Sequence, residues 1–208
     1  GLEKNRNNQR EPLWGTEIFP EYYSRFEKAA RETEGVTLTW EGHFIDPLFT
    51  HTTTGFTRPG DEEHPYLASV SCVHDPEEEG FVQEMIMQPE EAAKRVSAIP
   101  AGDGSFRTIP PEAFPEQVQI ISRDEAGYAL QLQIGGFPFN GEEVRLALGL
   151  PSACFELNRH GSDVRFTVRG RGHGWGLSQT EAQALAEDGW SAEAILEYFY
   201  TGISFSSE

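Results

Sequence analysis

Glycine fills every second position from Gly170 to Gly176, with Arg171, His173 and Trp175 in the gaps. The stretch reads "RGRGHGWGLSQ" from Arg169 to Gln179, and nothing else in the chain restricts its fold so strongly. In an extended strand, successive side chains point to opposite faces. Arg169, Arg171, His173 and Trp175 would then share one face, and Gly170, Gly172, Gly174 and Gly176 would leave the other bare. A bare face admits another backbone or a ligand at close range, and glycine also accepts bulges and positive φ. Such a comb is costly in chain entropy, so it is expected where a close approach requires it. "LSQTEAQALA" follows, in which Ser178 and, three residues on, Glu181 form a capping box. The comb therefore feeds a helix N-terminus, whose free N–H groups attract anions or polar oxygens.

The comb is not a phosphate loop. Its spacing is not G-x-G-x-x-G, and no lysine follows the glycines. The charge balance agrees: 34 acidic against 16 basic residues give a net charge of −18. A nucleic-acid binder needs a basic surface to displace counterions, and anionic membranes repel an acidic one. Nucleic acid is therefore not an expected partner. A hydrophobic share of 38% is enough for a folded core. No apolar run approaches the roughly 20 residues that span a bilayer. No signal peptide is present and residue 1 is not methionine, so a segment upstream of Gly1 is expected.

Cys72 and Cys154 lie far apart in apolar settings, "ASVSC" and "SACFEL". No CxxC pair exists, which argues against a zinc ribbon. One disulfide and two buried thiols both remain open. Among the six histidines no pair has the i, i+4 spacing of a helical zinc site, so neither metal nor cofactor is expected.

Along the chain, residues 1–19 read as an irregular lead. Residues 20–34 read as a helix stopped by Gly35. "VTLTW" and "HFIDPLF" read as a hairpin turning at Glu41-Gly42. A hydroxyl-rich loop, "THTTTGFTRPGDEEHP", precedes "YLASVSCV", which reads as a strand. "FVQEMIM" alternates like a strand, and Pro89 opens a helix to about Ser97. The proline-rich 99–116 reads as a loop. "QVQIISRDEAGYALQLQI" and "CFELNRHGSDVRFTVRG" read as hairpins, and "NGEEVRLALG" as a helix capped by Asn140. Two helices, about 179–188 and 192–200, close the chain. The fold class is α+β: antiparallel β-hairpins with interspersed helices, and two helices at the C-terminus. No internal repeat or linker divides residues 20–208, which read as one domain.

The segment "RGRGHGWGLSQTEAQALAEDGWSAEAILEYFYTG" resembles the C-terminal signature of the stage II sporulation protein D (SpoIID) family, roughly Gly-x-Gly-His-Gly-x-Gly-Met-Ser-Gln, then Met-Ala-x-x-Gly, then Ile-Leu-x-x-Tyr-Tyr-x-Gly. "ARETEGVTLTWEGHFIDPLFTHTTTGFT", "HPYLASVSC" and "GEEVRLALGLPSACFEL" resemble further segments of that family, so the resemblance spans about residues 20–203. Thr50 stands where the family pattern has histidine, with His51 one place over. Thr53-Thr54-Gly55 replaces Ser-Gly-Gly, and Thr180-Glu181-Ala182 replaces Tyr-Gly-Ala.

The resemblance implies a lytic transglycosylase that cleaves peptidoglycan glycan strands during sporulation and engulfment. It would work outside the cytoplasm, membrane-associated or secreted through the upstream segment. The implied partners are glycan strands and cell-envelope or sporulation proteins. In that chemistry an acid protonates the glycosidic oxygen and the muramyl 6-hydroxyl attacks, leaving an anhydro end. The family's acid is a glutamate in a Glu-Met-Pro segment. Glu84-Met85 is followed by Ile86, and "EAQALA" at 181–186 lies downstream of the comb, so neither matches. No catalytic residue is assigned in this chain, and the acid is expected upstream. Substrate contacts are expected from Arg171, His173, Ser178 and Gln179, with Thr53 and Thr57 from the hydroxyl-rich loop. His173 is expected to orient the substrate or the acid. Two other function classes stay open: a non-catalytic glycan-binding or amidase-enhancing module, and a protein–protein scaffold of the envelope.

Overall fold

A computed structural model of the protein describes residues 19–207. All of the predicted lead over 1–19 but Phe19 lies outside the described residues. The described residues form two compact units, 19–44 with 204–207, and 45–203.

In the first unit, helix α1 (Phe19–Glu32) is followed by strands β1 (Val36–Trp40) and β2 (His43–Phe44). The C-terminal strand β11 (Ile203–Ser207) pairs on the other side of β1, an element the sequence did not suggest. The β1–β2 turn lies at Glu41-Gly42 as expected, with φ of 49° and 82°. Positive φ at both central residues is the tight hairpin geometry that matches strand twist.

The second unit holds two three-stranded antiparallel sheets. One is β4 (Val82–Met87), β9 (Asp163–Arg169) and β8 (Phe155–His160), with β9 in the middle. The other is β5 (Val118–Arg123), β6 (Ala129–Ile134) and β7 (Phe137–Asn140), with β6 in the middle. The central strand β9 alternates strictly, burying Val164, Phe166 and Val168. Helix α2 (Pro89–Ser97) starts on a proline at its first turn and buries Ala92, Ala93 and Val96. Helix α3 (Gly141–Leu148) is capped by Asn140, whose side chain accepts the Glu142 N–H at 2.8 Å, and Gly149 closes it at φ 71°. These faces meet in one core around Phe114, Leu132, Ile134, Val144, Leu148, Phe155 and Phe166. Each such side chain contributes about 1.5–3 kcal/mol by leaving water. Helices α4 (Gln179–Glu187) and α5 (Ala192–Phe199) follow near the C-terminus. The fold is α+β.

Two predicted strands differ. "HFIDPLF" breaks after Phe44, because Pro47 has no N–H to give a ladder. The chain pairs again only at β3 (Phe49–Thr50), which lies parallel to β10 (Leu177–Ser178). "YLASVSCV" is not a strand. Its backbone is satisfied by side chains and single bridges: Val70 N donates to Thr57 Oγ1 at 2.9 Å, and Leu67 and Ser71 each make one isolated bridge. Among the described residues, no helix is long and apolar enough to cross a membrane.

Candidate functional site: a glycine comb against a threonine strand

The comb is not an extended strand. Gly170, Gly172, Gly174 and Gly176 have φ of 72°, 111°, 87° and 70°, so the chain reverses hand at every second residue. Its bare side is filled by backbone and by Tyr128, the close approach that the sequence called for. A Cβ on Gly176 would fall on the Leu48 carbonyl, and one on Gly172 on Thr50 Oγ1. Arg171 and Thr52 exchange backbone hydrogen bonds of 2.8 and 3.0 Å, and Arg58 N donates to Gly174 O at 2.8 Å. Thr50 Oγ1 accepts from Gly174 N at 3.2 Å and donates to Arg171 O at 3.1 Å. Residues 48–58 and 170–177 thus form one interlocked surface.

Of the six predicted contact residues, two are exposed, three are buried and one is half-buried. Arg171 and Gln179 are exposed. Arg171 lines a depression of about 150 Å³ with His51, Thr52, Gln83, Glu78 and Glu79, and Gln179 Oε1 lies 3.3 Å from His51 Nδ1. Thr53, Thr57 and Ser178 are buried. Thr57 Oγ1 donates to Ala68 O at 3.0 Å, inside the turn that replaces the predicted strand. His173 is half-buried, and its Nδ1 accepts the Trp175 N–H at 3.1 Å. Burial holds the His173 imidazole below its ordinary pKa, against the opposite pull of the Glu142 carboxylate.

Thr53 and Ser178 meet on Asp75, a residue the sequence reading did not single out. Asp75 is fully buried. Its Oδ2 accepts from Thr53 N and Thr53 Oγ1, each at 2.6 Å, and Ser178 Oγ donates to the same carboxyl at 2.8 and 2.9 Å. Burial raises the Asp75 pKa, opposed by the Thr53 and Ser178 hydrogen bonds. Ser178 Oγ also caps α4, accepting the Glu181 N–H at 3.3 Å. Half of the predicted capping box is therefore present. The Glu181 carboxylate turns away from Ser178 to His74, accepting its backbone N–H at 2.8 Å and lying 3.0 Å from its Nδ1. That bond raises the His74 pKa. Next to this joint, Cys72 is a buried free thiol, pushed up to about 12 by burial and by Asp75, and Cys154 is free as well.

His74 and Asp75 both favour their protonated forms in the folded protein. A raised pKa adds stability that is complete below the unfolded value and is lost as pH climbs through the folded one. For His74 the decline begins above 6.5, and Asp75 changes stability in the same direction from 3.8 upward. Thermal unfolding from about pH 6 to about pH 9 should therefore show a falling Tm. His74→Gln should flatten that slope, and an unchanged slope in the variant would remove His74 from the account.

No group of three or more metal-ligating side chains occurs among the described residues. No family model matches the chain. It is 28% identical over 203 residues to stage II sporulation protein D of Bacillus amyloliquefaciens, covering 96% of this chain and 56% of the relative. It is 28% identical over 200 residues to the protein of that name in Bacillus subtilis strain 168, covering 93% and 54%. The chain is thus similar to stage II sporulation protein D along nearly all of its own length. It spans about half the length of the curated relatives it matches.

The departures from the SpoIID pattern have defined places. Thr50, at the pattern's histidine position, is buried between Arg171 and Gly174, while His51 points out beside Gln179. A one-residue step in an extended segment changes faces, so the imidazole lies at the surface beside Gln179 and Arg171 instead of being buried as Thr50 is. Glu84, set aside in the sequence reading, lies on β4 with its carboxylate 3.6 Å from Arg165. The strongest electrostatic feature is one that no motif signalled. Arg58 is 3% exposed. Its Nε donates to Asp124 Oδ2 at 2.6 Å, and its Nη1 donates to Glu142 Oε1 at 3.3 Å and to His173 O at 3.2 Å. Its guanidinium stacks 3.7 Å from the Trp175 ring centre and 4.8 Å from that of Tyr128. Arg58 thereby clamps the side chains of the comb to α3 and the β5–β6 turn. The only hint in the sequence was a lone arginine in a threonine-rich loop.

Proposed function

We propose that this chain is the glycan-binding part of a SpoIID-type cell-wall protein acting in sporulation. Residues 45–203 would hold a peptidoglycan strand at the depression between His51 and Arg171, and the whole protein would cleave the strand as a lytic transglycosylase. The observation that carries this reading is the cluster of Arg171, His51 and Gln179, exposed where the comb meets the threonine-rich segment, two stretches that resemble the family. A guanidinium, an imidazole and an amide side by side offer both donors and acceptors, which sugar hydroxyls and acetamido groups require. The general acid would lie in the part of the relatives that this chain does not cover. The reading places the protein outside the cytoplasm, with envelope or sporulation proteins as further partners.

The test is retention on insoluble, peptide-free glycan. The wild-type chain should be retained, and Arg171→Ala should weaken retention about tenfold, the weight of a charge-assisted hydrogen bond, with an unchanged Tm. No retention would overturn the reading in favour of an envelope scaffold. Retention by a protein of the relatives' full length that releases no anhydro-muramyl ends would reduce it to a binding module.

A further inference from the structure

A second pocket, of about 250 Å³, opens beside the comb and is built from Trp175, Leu48, Leu67, Gly60, Asp61 and His64. We propose that this pocket takes one neutral hexosamine ring of the glycan, N-acetylglucosamine in preference to the acidic N-acetylmuramic acid. The inference rests on the glycan reading and adds to it a residue-level choice between the two sugars.

Size comes first. At about 30 Å³ of liquid volume per water, the pocket has room for about eight waters, enough for a single ring with its substituent. Its floor is apolar, from Leu48, Leu67 and the indole of Trp175, which suits the C–H face of a sugar. The rim carries an oriented polar pair. Asp61 Oδ1 accepts from Glu63 N and His64 N, each at 3.0 Å, and lies 2.8 Å from His64 Nδ1. With a proton on Nδ1, His64 Nε2 is an acceptor, and Asp61 Oδ2 has no partner among the described residues. Two acceptors side by side suit a hydroxyl and an acetamido N–H.

The pocket is set before any ligand arrives. Gly60 N donates to Leu67 O at 2.7 Å, and Leu67 N to His64 O at 3.0 Å. Trp175 Nε1 donates to Pro59 O at 3.1 Å, which ties the indole to the same loop. Preorganisation of this kind lowers the ordering cost of binding. Charge makes the choice. The His64 hydrogen bond holds the Asp61 carboxyl below its usual range, so it stays ionised. Glu62 and Glu63 are exposed beside it. The lactyl carboxylate of muramic acid would meet like charge there.

The experiment is an amide and indole NMR titration of the chain with N-acetylglucosamine, repeated with N-acetylmuramic acid. The expected result is movement of the Gly60 N–H and the Trp175 Nε1–H with the first sugar, and about tenfold weaker binding of the second. Asp61→Asn, at an exposed position, should fold normally and remove most of that difference. Equal affinity for the two sugars in the wild type would overturn the choice. Movement at His51 and Arg171 alone would overturn the pocket and leave the glycan reading standing. Movement at Gly60 and Trp175 alone would support the pocket and remove the depression. No movement anywhere would end both.

Discussion

Arg58→Ala is expected to cost about 3–5 kcal/mol of folding stability, the loss that follows when one partner of a buried ion pair is removed. The guanidinium is held by Asp124 and Glu142 and by the His173 carbonyl, with an aromatic ring against it on two sides. Deleting it leaves the Asp124 carboxylate without its ion-pair partner, while Glu142 keeps Arg145 at 2.9 Å. In a unit of this size the loss corresponds to a fall in Tm of about 10 °C. Arg58→Lys keeps the charge but loses the planar fork and the stacking, so it should restore only part of the stability. Denaturant unfolding of both variants checks this. A loss below about 1 kcal/mol for alanine would mean that the pairs behave like exposed ones.

Gly176→Ala has the next largest expected effect. Two costs add. The residue sits at φ 70°, where an L side chain pays about 1–2 kcal/mol. Its new methyl would also occupy the place of the Leu48 carbonyl, so the backbone must part there. The Leu177 N–Leu48 O bond of 3.1 Å is then lost or stretched. Together about 3–5 kcal/mol should disappear. Gly102→Ala is the control. Its Cβ would meet open space, and its φ is not in the left-handed region, so it should change stability by no more than about 0.5 kcal/mol. If the two variants unfold together, the comb is not a close-packed element.

Much of the framework could be read from residue order. The strict alternation in "DVRFTVR" and the proline at the start of α2 fixed β9 and α2 closely. Asn140 marked the start of α3. These signals are local, and neighbouring residues alone produce them. The site was harder because its partners are distant. Ser178 could be recognised as a cap, but nothing near it announced Asp75, 103 positions away. Thr53 and Thr57 looked like ligand contacts because hydroxyl-rich loops usually face water. Here the hydroxyls satisfy buried backbone and one buried carboxyl. Arg58 escaped notice for the same reason, since its carboxylates come from two other elements. The comb gave its message only in part. Its glycines announced a close approach, but an alternating strand was the wrong picture for a chain that turns left-handed at each of them.

The pairing of residues 48–52 with the comb has a kinetic meaning. Thr50 and Arg171 lie 121 positions apart, so the contact that shapes the depression closes a very long loop. Contacts of such separation form late, because their closure entropy is met only once the intervening sheets have ordered. The local β5–β6 and β8–β9 hairpins are expected to outlast this pairing in a partly denatured chain. Amide exchange at Thr52 and Arg171 would then report on whether the depression exists, separately from whether the protein is folded.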